Sequence, residues 1–350
     1  MTIVFAVLLF SILIFVHELG HFLAAKAFGV RVNEFAMFMG PALLKWGKGE
    51  TRYSIRCIPI GGYCAMEGED VDTDDPRSFQ KAAWWKRLII LVAGSAMNFV
   101  AGFLILAVVF APAKQFVVPV IDSAEAGATV IRQDGLQVGD EILEVDGEKI
   151  YVQSDFSIFL ALNPGDTHDL VVRRNGEKLV FDDYLMEKHL FPGEETERYG
   201  ITFGVEDATF GNKLKYTWYS GLKVVRSVRL SLQMMFSGQA GLKDMTGPVG
   251  IVQIMSDTAA EAESKADAIY DMLYIGGFIA INLAVMNLLP IPALDGGRVF
   301  GLLLTVAIQK ITGKKLDPKY EGYIHGIGMI LLLALMGIIL FKDIFTIFKG

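Results

Sequence analysis

Two histidines and a glutamate stand in the segment IFVHELGHFLAAK, residues 14–26. Their spacing is that of a metal-binding helix. His17 and His21 are four residues apart, so on a helix they share a face one turn apart and can offer two imidazole nitrogens to one ion. Glu18 lies beside them and can take a proton from a water that the ion acidifies. H-E-x-x-H on a helix is the arrangement used for zinc-dependent peptide hydrolysis. The same residues could instead be two buried histidines satisfied by neighbours. Residues 1–16 carry no charged side chain. Polar groups inside such a helix are costly and need many partners, which favours the metal reading.

A catalytic zinc takes a third protein ligand and keeps one position open. Asp295, in NLLPIPALDGGR, is the candidate. Pro290 and Pro292 break a helix on one side of it, and Gly296 and Gly297 free the backbone on the other. Broken backbone at membrane depth is tolerated only where it is buried in protein or lines a wet cavity. The alternative for Asp295 is an ion pair with Arg298 in a kinked helix.

The elements that must position these groups follow from composition. The chain has 350 residues, enough for two or three domains, with 53% hydrophobic and 20% charged residues, which is a membrane-protein balance. A net charge of −7 speaks against nucleic acid as a partner. Cys57 and Cys64 form no disulfide framework or zinc-finger spacing. Apolar runs long enough to cross a bilayer cover 2–28, 85–112, 268–308 and 322–341, the third interrupted around Asp295 and Arg298. The first run lacks a basic leader and a small-residue cleavage site, so it is expected to be retained.

Basic residues set the expected orientation. Arg31, Lys45, Lys48, Arg52, Arg56, Arg77, Lys81, Lys86 and Arg87 lie between the first two runs, and Lys310, Lys314, Lys315 and Lys319 between the last two. Both loops are expected in the cytoplasm, with both termini and the acidic loop between outside. His17 precedes Lys26 by nine residues, about 14 Å of helix. Asp295 precedes Lys310 by fifteen, so the polar groups reach similar depths.

The segment TRYSIRCIPI reads as a strand closed by Gly61-Gly62, in a membrane-associated hairpin over 34–63. An open strand edge beside the site could bind substrate by β-augmentation, with Ile55, Cys57, Gly61 and Gly62 as contacts. A transmembrane substrate hides its peptide bonds in its own helix, and an edge strand can satisfy the groups that unwinding releases. The alternative is a peripheral hairpin lying on the bilayer. DLVVRRNGEKLVFDD reads as a hairpin turning at Asn175-Gly176. Residues 212–236 read as a basic, aromatic interfacial helix, and SDTAAEAESKAD after it as a solvated helix or linker.

HELGH in the first span with NLLPIPALDGG in a late span resembles the site-2 protease family of intramembrane zinc metalloproteases, in particular the bacterial regulator-of-sigma-E type. The likeness covers nearly the whole chain. It implies zinc held by His17, His21 and Asp295, catalysis by Glu18, and Asn287, Pro290 and Pro292 near bound substrate. GLQVGDEILEVDGEKI resembles a PDZ-domain signature, and TGPVGI a family segment before the third span. In AGSAMNF, Ser95 stands where the family commonly has proline, while Asn98 is retained. The implied fold is an α-helical polytopic membrane protein with about four transmembrane helices, a broken third span, a membrane-associated β-hairpin and an inserted PDZ-like α+β domain. The expected division is 1–112, 113–207 for the PDZ-like domain, 208–265 for amphipathic helix and linker, and 266–350. The implied substrates are single-span membrane proteins, such as anti-sigma factors or signal-peptide remnants, pre-cut by another protease in regulated intramembrane proteolysis. The implied place is the bacterial cytoplasmic membrane, with the site opening toward the cytoplasm. A catalytically silent scaffold using its PDZ-like domain, or a zinc-dependent transporter or sensor, are the other readings.

Overall fold

The computed structural model describes residues 2–69, 73–163, 165–193, 196–241, 243–313 and 318–349; Lys314 and Lys315 lie outside them. The chain forms two compact units, one of residues 1–109 with 224–350, the other of 110–223. Helices at Thr2–Ala27, Trp84–Phe110, Lys265–Asn287 and Gly322–Thr346 are long and apolar enough to cross a membrane.

The first unit opens with α1 (Thr2–Ala27), rich in Leu, Ile, Phe and Ala. It ends where Gly29 takes φ 77°. Gly29 N–H then donates to Lys26 O at 3.1 Å and Val30 N–H to Ala25 O at 2.9 Å, closing a Schellman motif. Strands β1 (Val32–Trp46) and β2 (Arg52–Met66) pair antiparallel. The pairing is not a simple hairpin. Phe35 pairs with both Tyr53 and Cys64, and Met37 with both Ile55 and Gly62, so the start of β1 lies between the two halves of β2. The end of β1 folds back, and Leu44 also pairs with Ile55. Gly40 at φ 82° and Gly61 at φ 80° permit these bends. Gly61-Gly62 therefore does not close the strand; β2 turns there and runs on to Met66. Among the described residues, no strand covers the outer edge of 62–66. Helix α2 (Trp84–Phe110) passes through Ser95 without a break. It crosses α1 backbone to backbone, because a Cβ on Gly20 would lie 2.9 Å from Gly94 Cα.

The second unit holds β3 (Gln115–Ala124), β4 (Glu141–Val145), β5 (Glu148–Lys149), α3 (Gln153–Leu162), β6 (Thr167–Arg174), β7 (Glu177–Leu185) and β8 (Ile201–Asp207). The sheet order is β7-β6-β4-β3-β8, with β5 on β4. Ile121, Leu136, Ile142, Leu170 and Val172 form its fully buried centre. The hairpin turn falls at Asn175 (φ 51°) and Gly176 (φ 86°), the two left-handed positions of a type I′ turn. Helix α4 (Phe210–Phe236) starts here, with Tyr216 stacked on Phe116 at 4.1 Å between ring centroids.

The chain returns through α5 (Pro248–Glu261), which opens with proline in its first turn. The first part of the segment expected as a solvated helix or linker, residues 256–261, completes this helix and is exposed or half-buried. Met255 of α5 is fully buried with Leu9 and Leu13 of α1 and Ile279 of α6 (Lys265–Asn287). The third apolar run is two helices, α6 and α7 (Asp295–Thr312), separated by 288–294. Helix α8 (Pro318–Lys349) closes the chain. Its Asp343 accepts the Gly250 N–H at 3.0 Å, tying α8 to the TGPVGI segment.

Candidate metal centre

Both histidines project from the same face of α1 toward the first residue of α7. His17 Nε2 and His21 Nε2 are 3.2 Å apart, and Asp295 Oδ2 lies 3.1 Å from the first and 3.3 Å from the second. The three side chains are 11%, 8% and 20% exposed.

The hydrogens decide what this triangle is. His21 Nδ1 lies 2.8 Å from Ile90 O, and a carbonyl only accepts, so Nδ1 carries a proton, and in the neutral ring Nε2 turns a lone pair inward. His17 Nδ1 lies 3.5 Å from the Asn98 amide, whose Oδ1 is buried without a partner. Turning that amide over sets Oδ1 against an Nδ1–H and gives His17 the same tautomer. Among the described residues, Asp295 Oδ2 is buried with no hydrogen-bond donor in proper geometry. With both rings neutral, three lone pairs converge, which is repulsive unless a cation or a proton sits between. Nitrogen and oxygen ligands about 2.0–2.2 Å from a tetrahedral zinc stand about 3.3–3.6 Å apart. The observed triangle is within about 0.2 Å of that range. Two imidazoles and a carboxylate, with the imidazole backs held by fixed acceptors, suit zinc.

The surroundings keep this arrangement open. Gly94 of α2 faces the rings, and a Cβ there would lie 2.7 Å from His21 Cε1 and 2.8 Å from His17 Cε1. Arg298, one turn after Asp295, is engaged by Glu69 instead. The alternative in which Asp295 pairs with Arg298 is therefore not the arrangement seen. Glu18 is half-buried on the wall of a cavity of about 570 Å³ that it shares with His17, His21, Asp295 and residues 63–66. Gly62 approaches it, with 3.3 Å from an added Cβ to Glu18 Cγ, and the Cys64 backbone hydrogen-bonds its carboxyl.

Of the residues expected at the site, His17, Glu18, His21, Asp295 and Gly62 come together. Gly61 packs on Met39, Cys57 is exposed and Ile55 is paired on both sides, and none of the three lines the cavity. Asn287 ends α6; Pro290 and Pro292 lie in the connection to Asp295. Sequence reasoning missed the Ile90 carbonyl and Gly94. The carbonyl has no side-chain signal; Gly94 sits among small residues that mark close helix crossings. The polar Asn98 in an apolar span was the available cue to its contact with His17.

The sequence model of Peptidase family M50 matches residues 5–335. A Clostridium acetobutylicum protein with a provisional zinc metalloprotease name is 36% identical over 345 residues, covering 98% of this chain and 97% of that protein. A Clostridium perfringens protein with the same kind of name is 37% identical, covering 98% of each. Zinc metalloprotease RasP of Shouchella clausii is 29% identical, covering 97% of this chain and 98% of its own.

Proposed function

We propose that this chain, which belongs to peptidase family M50, is a zinc metalloprotease that cleaves single-span membrane proteins within or near the bilayer. The observation that carries this reading is the His17–His21–Asp295 triangle with Glu18 in the same cavity. These three side chains hold the zinc. When bound, zinc supplies Lewis acidity to a peptide carbonyl and to a water. Glu18 takes the proton of the attacking water and delivers it to the leaving amine.

The edge at 62–66, which β1 leaves uncovered, takes the unwound substrate backbone, because residues 63–66 line the cavity. Gly62 lets that backbone come close to Glu18. Ile55 and Cys57 build the sheet behind the edge. Asn287, Pro290 and Pro292 flank the substrate on the α6–α7 side. The protein is a multi-pass bacterial membrane protein. We assign four spans, both termini and the second unit outside, and a cavity open to the cytoplasm. The second unit is a PDZ-like domain that excludes substrates with intact ectodomains. An earlier cut by another protease then admits anti-sigma factors or signal-peptide remnants, in regulated intramembrane proteolysis.

The test uses purified full-length protein in detergent, with zinc content and cleavage of a model single-span substrate measured together. Wild type and Glu18→Gln should both hold zinc, while cleavage falls by about 10²–10⁴-fold in the variant. Retained turnover in Glu18→Gln removes its role, and absence of zinc from both removes the reading.

A further inference from the structure

The backbone that presents Asp295 is held from outside its own helix. Ala293, two residues before it, has φ 81°, a left-handed conformation that a residue with a Cβ adopts only under constraint. Leu294, at the start of α7, supplies no side-chain cap. The constraint comes from α8. Ala293 N–H donates to His325 Nδ1 at 3.2 Å. One turn on, buried Gly328 lies against the preceding residue, where an added Cβ would be 2.8 Å from Pro292 C and 3.0 Å from its O. Most of α8 is exposed, so these are specific points of attachment and not part of a broad packed face.

We infer that His325 is a positioning residue for Asp295: its Nδ1 holds Ala293 in the left-handed conformation that aims the carboxylate at the two histidines. The inference rests on the reading of Asp295 as a zinc ligand. Without the acceptor, the Ala293 N–H turns to water in the adjoining cavity, and the residue relaxes toward negative φ. Asp295, two residues on, then swings off the triangle. A ligand must be held within about 0.5 Å of its working position, so a modest relaxation is felt.

Full-length protein in detergent is loaded with zinc and challenged with a chelator, and the retained metal is measured. The visible spectrum of the cobalt-loaded protein reports the ligand geometry independently of activity. His325→Ala should hold zinc about tenfold more weakly and shift the cobalt band. His325→Asn, whose Oδ1 can stand where Nδ1 stood, should return both readings to wild type. Ala293→Gly in the His325→Ala background should restore retention at least in part, because glycine adopts positive φ without the cost that a Cβ adds; it also decides the matter if His325→Ala alone does not fold. Wild-type readings in His325→Ala, equal losses in the Asn and Ala variants, or no recovery on Ala293→Gly would each overturn the inference. Asp295→Ala is the separate control: wild-type zinc retention there would overturn the ligand assignment itself.

Discussion

Two aspartate–histidine groupings, one in each unit, show what separates a candidate metal site from a structural pair. In the second unit, Asp146 Oδ2 lies 2.8 Å from His168 Nδ1. Asp146 also accepts from Asn163 Nδ2 at 3.0 Å and from Asp169 N–H at 2.9 Å, so both its oxygens are supplied with donors. His168 is buried, and among the described residues its Nε2 has no partner and no second ligand joins it. In the membrane unit the order is reversed. The outer nitrogens of His17 and His21 face Asn98 and Ile90 O, and the inner ones face a carboxylate oxygen that no donor satisfies. An aspartate supplied with donors locks a loop; one supplied only with lone pairs calls for a cation.

The strongest way to break this comparison is to remove the carboxylate from each. Asp295→Ala should lose zinc and lower cleavage by more than about 10³-fold, since the ion's Lewis acidity goes with it. Asp146→Ala should leave zinc content unchanged and instead lower the unfolding temperature of the second unit. Zinc measured on both purified variants decides the matter: retention in the first, or loss in the second, would erase the distinction.

A smaller effect sharpens it at the amide partners. Asn98→Ala should weaken zinc affinity by about 10–100-fold, because the acceptor behind a metal-bound imidazole fixes its tautomer and direction. Asn163→Ala removes one hydrogen bond to a carboxylate and should cost stability only, about 1–3 kcal/mol. Chelator competition on the first and a thermal melt of the second read these separately. Unchanged zinc affinity in Asn98→Ala would mean that its contact with His17 is incidental.

How much of this was legible follows from where each signal resides. The His17–His21–Asp295 triangle could be read because helical spacing puts His17 and His21 on one face, and because Asp295 is an acid amid helix breakers in an apolar run. The spans could be read from apolar length. The β1–β2 sheet was misjudged because Gly61-Gly62 looks like a terminator, whereas Gly61 serves as a bend that carries β2 past Glu18 to Met66. That bend is what puts the open edge at 62–66, not at Ile55. SDTAAEAESKAD reads as a solvated helix or linker because its polar residues outnumber its apolar ones, and its first residues do continue a helix, anchored by Met255 just upstream. Long-range polar partners were invisible: the hold of Ile90 O on His21 spans 69 residues and that of His325 on Ala293 spans 32.

The smallest expected effect is a pH dependence confined to the second unit. Burial alone would raise the Asp146 carboxyl, but the hydrogen bonds from Asn163, His168 and the Asp169 N–H outweigh it and hold the group below the ordinary aspartate range. A carboxyl lowered on folding adds stability that is fully present above its unfolded value, about 3.9, and is lost as pH falls from there through the folded value. The melting temperature of the second unit should therefore exceed that of Asp146→Asn near neutral pH, and the gap should narrow as pH drops below about 4. A gap independent of pH would mean that the Asn variant loses packing and not a charge-dependent network. The outcome bears on the larger comparison, because it asks whether Asp146 works as an anion satisfied by donors, which is the condition that Asp295 lacks.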